Sequence, residues 1–95
     1  MKKIRDYIER INEELSDAKH YAEKYLLNKG WSQSWSRMYS EMATDELRHA
    51  GYMRQIAAEH IKMLGWIPDE CRDAWDECEA HYPEKVAMVQ LMLSK

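Results

Sequence analysis

Residues 11–50 read INEELSDAKHYAEKYLLNKGWSQSWSRMYSEMATDELRHA, and Gly30 divides this stretch in two. On both sides of it apolar residues recur at three- and four-residue steps, the period of a helix with one buried face. Extended outward, the first pattern predicts a helix over 3–29, and Gly30 is its expected left-handed stop. Ser32 or Ser34 is placed to cap a second helix over 32–65, which Gly65 ends. A short connection at Gly30 makes the two antiparallel neighbours. Pro68-Asp69 restarts the chain. The tail, 68–95, carries Cys71, Trp75, Cys78, Tyr82, Val86, Val89 and Leu93 at helical spacing, with Pro83 expected to kink it or to begin another short helix. The fold class is therefore all-α: an antiparallel helical hairpin plus a C-terminal helical tail.

Glu14 interrupts the first apolar face. On a wheel of 100° per residue, Ile4, Tyr7, Ile8, Ile11, Leu15, Ala18, Tyr21, Ala22, Tyr25 and Leu26 fall within an arc of ~140°, and Glu14 is the one charged residue between Ile4 and Leu26 that falls inside it. Its neighbour Glu13 points away. The second helix has a stripe of Trp35, Tyr39, Met42, Met53, Ile56 and Met63, with Glu46, His49 and His60 inside it and Asp45 at its edge. Glu46 and His49, three residues apart, project to one spot. Glu14 lies sixteen residues before Gly30 and Glu46 sixteen after it, so an antiparallel pair brings Glu14, Glu46 and His49 to one height. A carboxylate in such a place needs partners, because burying it unpaired costs several kcal/mol.

A metal meets that need. Two copies of the chain would bring four carboxylates and two neutral imidazoles, and two divalent cations would neutralise them. Carboxylate oxygen with imidazole nitrogen suits iron, manganese or zinc better than calcium or magnesium. A chain of 95 residues buries only a modest core alone, and a lone hairpin leaves part of each stripe bare. Two hairpins packed together form a four-helix bundle that covers it, so a homodimer or higher homo-oligomer is expected. Four Trp and six Tyr with no Phe suit half-wet interfaces.

The run Glu14-Leu15-Ser16-Asp17-Ala18-Lys19-His20-Tyr21 resembles the first helix of bacterioferritins, and Asp45-Glu46-Leu47-Arg48-His49-Ala50 resembles the Glu-x-x-His helix of the ferritin-like superfamily, rubrerythrins included. The resemblance covers about residues 4 to 64. It implies a dinuclear iron site with Glu14 and His49 as terminal ligands, Glu46 as the bridging carboxylate, and Asp45 orienting the His49 of a facing chain. Tyr21 resembles a near-site tyrosine that supplies an electron; its alternative is a packed aromatic. The implied activity is oxidation of Fe(II) by O2 or peroxide. Ferritins and rubrerythrins carry two such helix pairs and this chain one, so another copy must complete the site, as in the short encapsulated ferritins. The rival readings are a manganese- or zinc-loaded version of the site, and a helical association module that is metal-free or holds metal only structurally.

Other residues read more plainly. His60 lies ~21 Å along the helix from Glu46 and is a core or interface histidine. Asp17 and His20 miss the apolar arc and belong to the surface. Glu77 and His81 could bind zinc, with surface decoration the weightier reading. Cys71 and Cys78, ~10 Å apart on a helix, are too distant for a disulfide and read as core; two such thiols behind an N-terminus unlike a signal peptide predict a cytoplasmic protein. A net charge of −3 with interleaved Lys and Arg offers no footprint for nucleic acid, and no apolar run reaches the ~20 residues of a membrane span.

Overall fold

The computed structural model describes residues 2–95. They form three helices in an elongated body of 51 × 17 × 16 Å: α1 (Lys2–Asn28), α2 (Gln33–Leu64) and α3 (Asp69–Leu93). Among the described residues there is no strand, and no helix is long and apolar enough to cross a membrane.

The turn between α1 and α2 departs from expectation. Gly30 does not adopt a positive φ; among the described residues only Gly65 does, at 78°. Asn28 closes α1 instead. Its carbonyl accepts from the N–H groups of Trp31 and Ser32 at 3.2 and 2.9 Å, and its side-chain amide donates to the Lys24 carbonyl at 2.8 Å. These bonds satisfy carbonyls that a helix end leaves open, so no left-handed residue is required. Ser32, not Ser34, caps α2: its Oγ accepts from the Trp35 N–H at 3.2 Å. Gly65 ends α2 as expected, its N–H donating to the Ile61 carbonyl at 2.9 Å.

α1 buries Ile4, Ile8, Ile11, Leu15, Ala18 and Ala22, with Tyr7, Tyr21, Tyr25 and Leu26 half-buried. The face α2 turns to the interior is narrower than its apolar stripe. Its buried residues are Ser36, Ala43, Ala50 and Ala57, one every seven. Small side chains allow two helix backbones to approach closely. On the wheel, the Trp, Met and Ile stripe is rotated about a quarter turn from that line, and Trp35, Ile56 and Met63 are exposed.

α3 closes one flank of the hairpin, running parallel to α1 and antiparallel to α2. Cys71, Trp75 and Cys78 join Ile4, Ile8, Ile11 and Leu15 in one core cluster, and Val89 joins Ala18, Ala22 and Ala43 in a second. Arg54 on α2 makes a two-bond fork to Glu79 at 2.9 and 2.8 Å, and its guanidinium lies 5.0 Å from the centre of the Tyr82 ring. Pro83 sits within α3 without starting another helix. It forfeits one backbone hydrogen bond to Glu79, and the helix continues past it to Leu93.

Candidate metal centre

Glu14, Glu46 and His49 meet at mid-height of the hairpin. His49 Nδ1 lies 3.7 Å from Glu14 Oε2 and 3.6 Å from Glu46 Oε1. One ligand atom from each residue fits within a mutual 4.8 Å, and among the described residues this is the one cluster of three or more His, Cys, Asp or Glu with such geometry. The helical period selects Glu14 over Glu13, the antiparallel turn sets the height, and the three-residue step on α2 adds His49. The Glu14 and Glu46 side chains are 14% and 21% exposed and that of His49 46%, so the cluster opens toward solvent through the histidine.

The carboxylates are poorly compensated within one chain. Glu14 Oε2 is buried and has no hydrogen-bond partner among the described residues, while Arg10 reaches only 4.0 Å from Glu14 Oε1. A buried acceptor left unsatisfied costs about 1–3 kcal/mol, more when charged. The adjacent Glu14 carboxylate, followed by burial, raises the Glu46 carboxyl from its ordinary range to about 7. A proton is thus retained where two carboxylates crowd, and a divalent cation bound between them would take its place. Two hard oxygens and an imidazole nitrogen fit a first-row divalent ion.

Asp45 stays outside the cluster, exposed and paired with its own neighbour Arg48 at 2.9 Å. Tyr21 lies two turns from Glu14; its ring stacks on Tyr39 at 6.3 Å, which in turn stacks on Trp35 at 6.0 Å. That stack was missed in the sequence, although Tyr21 and Tyr39 are equidistant from Gly30. His60 is remote from the cluster and packs edge-on against Tyr7. Asp17 and His20 are exposed. His81 pairs with Glu84 at 3.3 Å, and among the described residues Glu77 joins it in no metal-sized cluster. Cys71 and Cys78 are buried, and burial pushes the Cys78 thiol up.

No protein-family model, curated protein or solved structure matches the chain.

Proposed function

We propose that Glu14, Glu46 and His49 bind divalent metal, and that two copies of the chain pool these ligands into a dinuclear iron centre at which Fe(II) is oxidised. The observation that carries the reading is the convergence of three ligand atoms, one from each residue, at a place where a buried Glu14 oxygen has no hydrogen-bond partner among the described residues. Fe(II) is the substrate and each ion gives up one electron. Two ions reduce H2O2, with two protons, to two water molecules, or O2, with two protons, to H2O2. The chain's part is to hold the ions by charge and to keep a neutral site in a partly dry environment. Four carboxylates at −4 balance two divalent ions at +4, whereas one chain's pair of carboxylates balances a single ion.

Anaerobic titration of the chain with Fe²⁺, followed by admission of O2, tests this reading. Ferric absorbance should grow in wild type and in Glu13→Ala and should be lost in Glu46→Ala and Glu14→Ala. Equal loss from Glu13→Ala and Glu14→Ala would sink it. Manganese or zinc bound by the same residues, without oxidation, would keep the site and change the activity. A second reading, a helical association module, is favoured by the exposed apolar flank of α2; it expects self-association that is indifferent to metal and to Glu46→Ala.

A further inference from the structure

The turn between α1 and α2 exposes large side chains that the fold does not use. Leu27, Trp31 and Trp35 recur every four residues across it and are 71%, 72% and 50% exposed. The bonds that close α1 and cap α2 involve none of these three side chains. A single exposed apolar residue is ordinary, whereas three gathered at one turn, two of them tryptophan, mark a contact surface. Charge follows the same division. Residues 24–40 and 85–95 hold Lys24, Lys29, Arg37, Lys85 and Lys95 and no Asp or Glu. The other nine Lys and Arg share the rest of the chain with all seventeen acids. The fold brings both stretches to one end of the rod, because α3 runs parallel to α1 and its Met92 and Leu93 pack against the cluster of Ala18, Ala22 and Val89. A hollow of about 510 Å3 opens beside Trp31, lined by Tyr25, Lys29, Ser32, Gln33 and Ser36 and by no acid.

We propose that this end of the molecule docks on an anionic lipid surface. Leu27, Trp31 and Trp35 enter the boundary between headgroups and acyl chains, and Lys24, Lys29, Arg37 and Lys95 meet the phosphates. An indole suits that boundary, since its ring meets hydrocarbon while its N–H stays with polar partners. The stems of Lys and Arg lie along apolar surface and carry their charges out to the headgroups. The hollow beside Trp31 offers hydroxyl, amide and ammonium donors to one phosphate. Charge and side-chain type choose this occupant over two others. A second copy seated end to end would set cation against cation. A single-stranded nucleic acid would neutralise the cations and stack on the tryptophans, but it would leave Leu27 in water. A bilayer with anionic headgroups takes the cations, the indoles and the leucine together. Interfacial segments enter to ~5–10 Å, a depth that takes in the turn and one helical turn on either side. Glu14, sixteen residues before Gly30, then stays ~24 Å along the rod. Docking of this kind is independent of the metal centre.

Flotation of the full chain with lipid vesicles tests it, in a chelating buffer so that metal plays no part. Vesicles of phosphatidylcholine and phosphatidylglycerol in equal parts should carry the protein upward at low salt, and its tryptophan emission should shift to the blue. Pure phosphatidylcholine should carry little of it, and about 0.5 M salt should release it from the anionic vesicles, because salt screens the attraction. Lys29→Gln should weaken binding about five-fold, the share of one cation near such a surface. Trp31→Ser and Leu27→Ser should each lose most of the binding, and the blue shift with it, at unchanged helicity, since both side chains are exposed. Trp66→Ser, at the opposite end and 57% exposed, should bind as wild type does. Absence of flotation with the anionic vesicles at low salt would overturn docking on lipid. Equal flotation with pure phosphatidylcholine would overturn it as well, as would binding that survives Trp31→Ser, Leu27→Ser and Lys29→Gln combined. If an oligothymidine strand binds through Trp31 and Lys29 while vesicles do not, the surface belongs to nucleic acid. Self-association lost in Trp31→Ser, without vesicle binding, would give it to a second copy; either result removes lipid.

Discussion

Glu13 and Glu14 are chemically identical and 100° apart on α1, and that rotation decides their roles. Glu13 is solvated, while Glu14 holds a buried oxygen with no hydrogen-bond partner among the described residues. The consequence falls on Glu46, whose carboxyl is raised from 4.5 to about 7. The raised value belongs to the folded state, so the folded protein holds a proton that the unfolded chain has released. This contribution to stability is fully present below about pH 4.5 and is lost as pH rises through about 7. In a metal-chelating buffer, the melting temperature of wild type relative to Glu46→Gln should therefore fall between pH 5 and 8. Parallel profiles for the two proteins would show that Glu46 does not retain the proton. Asp45 shows the opposite case: it meets Arg48 at the surface, and an exposed pair of this kind contributes ~0–1 kcal/mol.

Two glycines near helix ends illustrate how an element terminates. Gly65 stands at φ 78°, a conformation that costs an L-residue with a Cβ roughly 1–2 kcal/mol. Gly65→Ala should lose about that much in urea denaturation. Gly30 has an ordinary φ and open space around a would-be Cβ. Gly30→Ala should be neutral or stabilising by up to ~1 kcal/mol, since it restricts the unfolded chain. A loss at Gly30 as large as that at Gly65 would contradict the Asn28 closure of α1. α3 acts as the third wall of the core. Trp75 is 8% exposed and packs in the cluster with Ile4 and Ile8, so Trp75→Ala should cost about 3–5 kcal/mol. A cost below ~1 kcal/mol in the same measurement would mean that α3 is only loosely docked.

For the molecule as a whole, one flank is closed by α3 and the other carries the Glu14–Glu46–His49 cluster. On the proposed reading folding and metal binding are linked, because metal that binds only the native state stabilises it. At 100 times its dissociation constant, one ion adds ~2.7 kcal/mol per site. Addition of Fe²⁺ under anaerobic conditions should raise the melting temperature of wild type, and the increment should vanish in Glu46→Ala. An equal increment in both proteins would place the bound iron elsewhere. On the same proposed reading, dilution should lower the wild-type melting temperature, since dissociation would separate the halves of the site.

Three helices, their order and the approach of Glu14, Glu46 and His49 were legible in the sequence. Helical period and equal distance from a turn are local rules, and they hold whatever else the chain packs against. That the amphipathic tail would pack was legible, but the residues that fix α3 on the hairpin were not. The Arg54–Glu79 fork joins residues 25 apart, and no local pattern marks Glu79 rather than another acid as the partner. Nor could the wheel say which part of the broad apolar face of α2 would meet α1. Periodicity records which side chains are apolar, whereas close approach of two backbones depends on which are small. Ala43, Ala50 and Ala57 therefore went inside and the larger Trp35, Ile56 and Met63 were left facing outward, a choice made by packing between helices and absent from either helix alone.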